Sequence, residues 1–299
     1  MAAATGITAG PPPKVAAAIA RRYGRRGRAW LDALPALVDF CADGWGLALD
    51  GQLEGGQMSA LMAAAAPDGR PVVLKCLPDL ELARREAVAL GAWRGVPGVV
   101  QLLDAKLEEG VLLLERIVPG STFAPADGGA EAAAALIERV HGCAADAPTG
   151  VPTLSEQIGG QMAKASARLD SVGVMPRRAL DDLVLLAADL ADPMRPTTLL
   201  HGDMQPRNIL SGPGGSPILI DPRPSIGDPA FDAATWALKQ LPVEAAWARA
   251  ERIRGLLGLD ADRVGGWMRV LAAETAISRS HHGFCTRDEA DRLVAIALG

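Results

Sequence analysis

Apolar positions along this chain change their period partway. Between Trp45 and Leu77 they follow strand spacing: Leu47 and Leu49 stand two apart, and Pro71-Val72-Val73-Leu74-Lys75 is a short β-rich run. Asp68-Gly69, set between Ala66 and Val72, is a hairpin turn signal. Over residues 79–93 the period becomes helical, with Leu82, Glu86, Ala89, Leu90 and Trp93 on one face. Two more apolar runs, 99–103 and 111–117, are separated by the turn-like Glu108-Glu109-Gly110. The pattern predicts a small sheet with one helix inserted.

After Pro119-Gly120 helical periods dominate. Amphipathic helices are expected over 131–143, 154–169 and 178–190, and again over 229–238, 244–257, 261–280 and 288–298. A compact strand-and-loop segment, 199–224, separates the two sets. A β-rich small part followed by a helical large part predicts an α+β chain of two lobes joined near residues 115–120. The expected division is an N-terminal extension (1–28), an N-lobe that binds nucleotide (29–118) and a C-lobe (119–299).

Composition narrows the class. With 299 residues there is room for a substantial core, and 49% hydrophobic with 22% charged residues is ordinary for a soluble enzyme. The net charge of -5 argues against a nucleic-acid partner. The basic cluster from Arg21 to Arg28 reads as a solvated helix end. Cys41, Cys76, Cys143 and Cys285 lie far apart without metal-binding spacing, and are expected as free thiols of a reducing compartment. The Ala/Gly/Pro-rich start through Lys14 has no apolar core of a signal peptide, and no stretch approaches the roughly 20 apolar residues of a membrane span. A cytoplasmic enzyme with no membrane and no nucleic-acid partner is expected.

The densest chemical signal is His201-Gly202-Asp203-Met204-Gln205-Pro206-Arg207-Asn208-Ile209-Leu210. Phosphoryl transfer to a hydroxyl needs a carboxylate to orient and deprotonate the acceptor, and oxygen ligands that hold Mg²⁺ on the ATP phosphates. An Asp followed five residues later by an Asn, on a short loop after an apolar run, supplies one of each. Asp203 is the candidate base and Asn208 a candidate metal ligand. A tight turn through Gly212-Pro213-Gly214-Gly215 returns the chain as Ile218-Leu219-Ile220, which ends in Asp221. Asp221 is the second candidate ligand, since hard Mg²⁺ prefers carboxylate and amide oxygens.

HGD-x4-N followed by Ile220-Asp221-Pro222 resembles the aminoglycoside phosphotransferases, where HGD stands in place of the HRD of protein kinases. The run Ile220-Asp221-Pro222-Arg223-Pro224 and the continuation Gly227-Asp228-Pro229-Ala230-Phe231-Asp232 are similar in particular to the streptomycin 6-kinase and hydroxyurea-phosphotransferase branch. The resemblance extends from near Trp30 to the end of the chain. It implies a bilobal protein-kinase-like fold, with five strands and one helix in the N-lobe and a mostly helical C-lobe. It further implies MgATP between the lobes and Asp203 accepting the proton of a substrate hydroxyl. By the same resemblance His201 packs beneath the loop and fixes its shape, and Asp232 braces the loop backbone. Where relatives usually have Leu and then His or Gly, this chain has Met204, Gln205, Pro206 and Arg207, so the motif does not fix the acceptor. Arg207 keeps two readings, neutralising the transferred phosphate or simply carrying surface charge.

Lys75 closes a β-rich run, as does the kinase lysine that reaches the α and β phosphates. A lone strand lysine is usually just solvated. Support comes from Glu86, a carboxylate in an apolar stripe, which is costly there unless a cation meets it. Glu81 lies about 100° off that stripe. The loop Gln52-Leu53-Glu54-Gly55-Gly56-Gln57-Met58-Ser59 sits where a phosphate-covering loop belongs, and Gly55 and Gly56 allow its backbone to approach ATP. It holds no Walker A and no full G-x-G-x-x-G. The stretch from Leu113 to Gly120 resembles the family's strand into the interlobe hinge, so the backbone of Glu115 and Ile117 is expected to meet the adenine edge.

Asp228-Pro229 is a helix N-cap with proline at the first helical position. Within 261–280, Trp267, Leu271, Glu274 and Ser278 share a face, making Glu274 another carboxylate on an apolar stripe. The resemblance implies that the late helices line the acceptor pocket, where Glu274 would bind an ammonium or guanidinium group. A salt bridge to Arg279 or another helix is the alternative. His281, His282, Asp288 and Glu289 are weaker acceptor candidates.

The expectation that results is an ATP- and Mg²⁺-dependent O-phosphotransferase for a small, hydroxylated, cationic acceptor, an aminoglycoside of the streptomycin type. Two rivals stand. One is a kinase for another small alcohol or a hydroxyurea-like acceptor. The other is a nucleotide-binding pseudokinase scaffold, against which the joint presence of Lys75, Asp203, Asn208 and Asp221 argues.

Overall fold

The computed structural model describes residues 10–56, 58–125, 129–143 and 148–299. The first nine residues of the expected N-terminal extension and Gln57 of the glycine loop lie outside these. The chain forms two compact units, Met1–Gly95 with Val100–Gly120 and Val96–Val99 with Ser121–Gly299.

In the first unit helix α1 (Pro13–Trp45) is followed by strands β1 (Ala48–Gln52), β2 (Ala60–Ala65) and β3 (Pro71–Cys76), helix α2 (Leu80–Ala92), and strands β4 (Leu102–Lys106) and β5 (Val111–Glu115). The strands form one antiparallel sheet in the order β1-β2-β3-β5-β4. The β2–β3 hairpin closes at Asp68-Gly69, where the Ala66 N–H donates to Arg70 O at 2.9 Å and the Gly69 N–H to Ala66 O at 2.8 Å. Helix α2 begins after Asp79, whose Oδ1 accepts from the N–H groups of Glu81 and Leu82 at 3.2 and 3.3 Å. The apolar run at 99–103 forms its strand three residues later than expected, as β4.

Helix α1 is additional to the expected elements, and it is kinked into two helical stretches at Gly24. Its signal is interrupted: Gly24 takes φ 60°, ψ -129° inside the helix, and Pro35 lies within it. The basic cluster straddles Gly24, with Arg21, Arg22, Arg25, Arg26 and Arg28 exposed, so it is solvated and lies where one helical stretch ends and the next begins. Beyond the break, Leu34, Val38 and Cys41 recur at helical spacing and bury against Met62, Ala64, Val72, Leu74 and Cys76. Because strand side chains alternate, Val72, Leu74 and Cys76 of β3 take the face covered by α1, which turns Lys75 to the opposite face. That alternation positions the lysine.

The second unit holds α3 (Ala130–Gly142), α4 (Leu154–Val172), α5 (Arg177–Leu190), β6 (Thr198–Leu200), β7 (Ile209–Ser211), β8 (Pro217–Leu219), β9 (Ser225–Gly227), α6 (Ala230–Leu238), α7 (Ala246–Leu257), α8 (Ala261–His281) and α9 (Arg287–Leu298). Two short antiparallel pairs, β6 with β9 and β7 with β8, frame the segment from His201 to Pro224. Helix α8 is the centre of the unit and packs against α4, α5, α6, α7 and α9. It buries most of its circumference, including Trp267, Met268, Val270, Leu271, Ala272, Ala273, Ala276 and Ile277. Among the described residues no helix is long and apolar enough to cross a membrane.

Candidate active site

The first unit contributes a buried ion pair. Lys75 Nζ, on β3, donates to both oxygens of Glu86, on α2, at 2.7 Å each, and the two residues are only 4% and 3% exposed. Neither charge would sit so deep alone. Desolvation is offset only by close pairing of this kind.

Gly55 and Gly56 lie in the β1–β2 loop with φ 121° and 67°. A Cβ on Gly56 would stand 2.9 Å from both Ser59 O and Ser59 Oγ, so the turn accommodates only glycine there without a shift. Glu115, at the end of β5, is tied to Gln101 twice. Its N–H donates to Gln101 O at 3.0 Å, and its Oε1 accepts from Gln101 N at 2.9 Å. Ile117, just beyond the strand, is half-buried, and its N–H makes no hydrogen bond among the described residues.

The second unit holds the denser cluster. His201-Gly202-Asp203 follows β6 directly, and its backbone is pinned from α6. Asp232, fully buried, accepts from His201 N–H through Oδ2 and from Gly202 N–H through Oδ1, both at 2.8 Å. Its Oδ2 also meets His141 Nε2, from α3, at 3.0 Å. Burial pushes the Asp232 carboxyl up. The hydrogen bond and charge of His141, the charge of His201 and the Gly202 N–H outweigh it and hold Asp232 below the usual carboxylate range.

His201 is buried beneath the loop. Its Nε2 bonds Ile220 O at 3.0 Å and its Nδ1 accepts from Asp203 N–H at 3.3 Å, which spends both ring nitrogens on backbone groups. Burial lowers its pKa below the ordinary imidazole value, against the pull of the nearby carboxylates. Gly202 has φ 76°, and a Cβ there would lie 2.0 Å from Arg223 O, which leaves no room for any side chain.

Asp203 is bracketed by amides. Gln205 Nε2 donates to its Oδ1 at 2.5 Å, and Asn208 Nδ2 donates to its Oδ2 at 3.0 Å and to its backbone O at 2.9 Å. Arg207 stands farther off, 3.8 Å from Oδ2 and half-exposed. Because the Asn208 amide nitrogen faces Asp203, its Oδ1 is turned elsewhere and can serve as an oxygen ligand. The Ile220 N–H donates to Asn208 O at 2.9 Å, which places Asp221 beside it. Asp221 has φ 55°, and among the described residues no other non-glycine has positive φ. Such a backbone is strained for Asp and is kept where surroundings enforce it, often at functional sites. An amide oxygen and a carboxylate on adjoining strand ends are donor types that suit a hard divalent cation.

Asp228 joins two helices. Its Oδ1 accepts from Ala230 N–H at 3.0 Å at the start of α6, and its Oδ2 meets Trp267 Nε1 and an Arg263 guanidinium nitrogen of α8, each at 2.6 Å. Pro229, with φ -56° and ψ -25°, is already helical. Glu274 lies farther along α8, half-buried, with no hydrogen bond or ion pair among the described residues. Arg279 does not meet it; that guanidinium contacts Phe284 O at 2.8 Å and Glu289 at 3.8 Å. Glu289 is spent on a capping box with Thr286 at the start of α9. Asp288 and both terminal histidines are exposed.

The structure thus gathers His201, Asp203, Arg207, Asn208, Asp221 and Asp232 into one cluster, and Lys75 with Glu86 into a pair. Among the described residues no hydrogen bond or ion pair links Glu274 to the cluster. Two members of the cluster escaped sequence reading. His141 stands four residues after the buried Ile137, and that spacing was its only signal. Gln205 was visible merely as a departure from a familiar motif.

A β-sheet unit with a buried Lys–Glu pair, and a helical unit with an amide-held Asp in the loop after β6, define a phosphotransferase of kinase-like fold. The chain belongs to the aminoglycoside/hydroxyurea antibiotic resistance kinase family, which it matches over residues 44–283. It is 32% identical to a streptomycin 6-kinase of Streptomyces glaucescens, covering 96% of each chain. It is also 32% identical to a hydroxyurea phosphotransferase of Kitasatospora aureofaciens, covering 82% of this chain and 73% of that one. Among solved structures, a choline kinase from Streptococcus pneumoniae aligns with TM-score 0.64 at 16% identity, covering 88% of this chain and 98% of that one. A thermostable mutant of the aminoglycoside phosphotransferase APH(4)-Ia aligns with TM-score 0.61 at 20% identity, covering 87% and 97%. The protein is a kinase that phosphorylates an alcohol group.

Proposed function

We propose that this kinase transfers the γ-phosphoryl group of ATP to a hydroxyl of an aminoglycoside of the streptomycin type. The observation that carries the reading is the Asp203 carboxylate, one-fifth exposed and held by an amide on each oxygen. Asp203 orients the acceptor hydroxyl and takes its proton as the O–P bond forms. Asn208 Oδ1 and the Asp221 carboxylate would hold Mg²⁺, which when bound neutralises charge on the transferred phosphate. Lys75, fixed by Glu86, binds nucleotide phosphates, and the backbone around Gly55 and Gly56 covers them. The Glu115 carbonyl and the Ile117 N–H meet the adenine edge. Arg207 adds positive charge near the transferred group. Asp232 and His201 keep the loop in shape, while Asp228 anchors the start of α6 to α8.

The acceptor class draws support from the streptomycin 6-kinases, which match nearly the whole chain. Glu274, half-buried without a cation, supplies a carboxylate for an ammonium or guanidinium group. A second reading, a hydroxyurea-like acceptor, is supported by the hydroxyurea phosphotransferase at the same identity. An ATP-consumption assay over a panel of aminoglycosides, with streptomycin and hydroxyurea included, separates them. Turnover with streptomycin and none with hydroxyurea is expected; turnover with hydroxyurea alone replaces the first reading by the second.

A further inference from the structure

We infer that Gln205 is a positioning residue, which with Asn208 fixes the plane of the Asp203 carboxylate for proton acceptance. The inference rests on the reading of Asp203 as the base. Gln205 is 9% exposed and sits in extended backbone, φ -142° and ψ 156°, immediately before the 3₁₀ turn Pro206–Asn208. Its main-chain oxygen already holds the loop, accepting from the Asn208 N–H at 2.9 Å. The side chain is therefore not needed for that closure. Among the described residues its one hydrogen-bond partner is Asp203 Oδ1, at 2.5 Å.

The chemistry of a carboxylate makes this contact consequential. Rotation about Cβ–Cγ of Asp is soft, without the sharp staggered wells of a saturated bond. One donor on one oxygen leaves that rotation free within a wide arc. Donors on both oxygens, Gln205 on Oδ1 and Asn208 on Oδ2, define the plane. Each oxygen has about two lone-pair directions, so each keeps one for an acceptor hydroxyl. Arg207, half-exposed at 3.8 Å, adds charge without comparable direction. Since phosphoryl transfer is accelerated mainly by placement of the reacting groups, losing one of the two donors acts on turnover and not on binding.

The test compares Gln205→Leu, Gln205→Glu and Gln205→His in the full chain, with MgATP and streptomycin as substrates and thermal melting as control. Gln205→Leu removes the donor at similar volume, and kcat should fall roughly ten- to hundredfold with both KM values within about twofold. The melting temperature should stay within about 4 °C. Gln205→Glu sets a second carboxylate against the first and should be slower still; it carries the test if the leucine variant does not fold. Gln205→His returns a ring N–H and should recover most of the loss. Leucine and histidine variants that melt early alike but keep kcat would reduce Gln205 to a packing role and overturn the inference. So would an unchanged kcat in all three beside an inactive Asp203→Asn, which leaves Asp203 as base untouched. An Asp203→Asn variant that turns over like the wild type overturns the base assignment, and this inference with it.

Discussion

His141 Nε2 lies 3.0 Å from Asp232 Oδ2, a contact that spans 91 residues of chain and ties α3 to the carboxylate beneath the loop. The same carboxylate takes the N–H groups of His201 and Gly202. Asp232→Asn keeps the volume but turns an N–H₂ toward donors that need an acceptor. Each orphaned N–H should cost about 1–3 kcal/mol, read as a lower urea midpoint at unchanged m-value. His141→Ala removes one bond to a charged group, about 1.5–3 kcal/mol.

Acid should destabilise the protein through His201. Burial keeps its pKa below the ordinary 6.5 in the folded state, whereas the unfolded imidazole takes up a proton near that value. The unfolded state therefore binds more protons. Stability is full above pH 6.5 and falls below it, by at most about 1.4 kcal/mol per pH unit from this one group. Asp232, also depressed, adds its loss only at pH lower than its ordinary 3.8. Urea midpoints between pH 7.5 and pH 5 measure the slope, which His201→Asn should flatten.

Lys75 and Glu86 form a pair in which neither charge survives alone. Lys75→Met or Glu86→Leu should each destabilise by about 3–5 kcal/mol, because one buried ion loses its partner. The double variant should regain much of that stability while the KM for ATP stays raised. Denaturation midpoints and steady-state kinetics on the three variants separate the structural from the nucleotide-binding contribution.

This pair was legible from sequence, because a carboxylate in the stripe of Leu82, Ala89 and Leu90 demands a cation and Lys75 closes the β-rich run just before it. The helices of the second unit were legible too, because each except the almost wholly buried α6 and α8 has a clear buried face. Helix α1 was not, since Gly24, Pro35 and the arginines around Gly24 break its period. His141 was invisible because its partner is 91 residues away and no local rule links them. In α8, with Trp267, Met268, Val270 and Ala272 all buried, no single apolar face exists on which to place Glu274.

Glu274 is nonetheless testable, because nothing among the described residues pairs with it. Glu274→Gln should leave the melting temperature unchanged. If it binds the acceptor's cation, the KM for streptomycin should rise by about ten- to hundredfold, the loss of roughly 1.5–3 kcal/mol, with that for ATP unaltered. An unchanged streptomycin KM removes Glu274 from the acceptor site.

The central claim is that Asp203 takes the proton of the acceptor hydroxyl. Asp203→Asn preserves shape and the neighbouring Asn208, so ATP should bind with a Kd near that of the wild type. Single-turnover transfer of labelled phosphate from MgATP to streptomycin, measured for wild type and Asp203→Asn, tests the claim directly. The rate is expected to be lower by several orders of magnitude in the variant. Transfer within about tenfold of wild type, no more than about 1.4 kcal/mol of barrier, would contradict it.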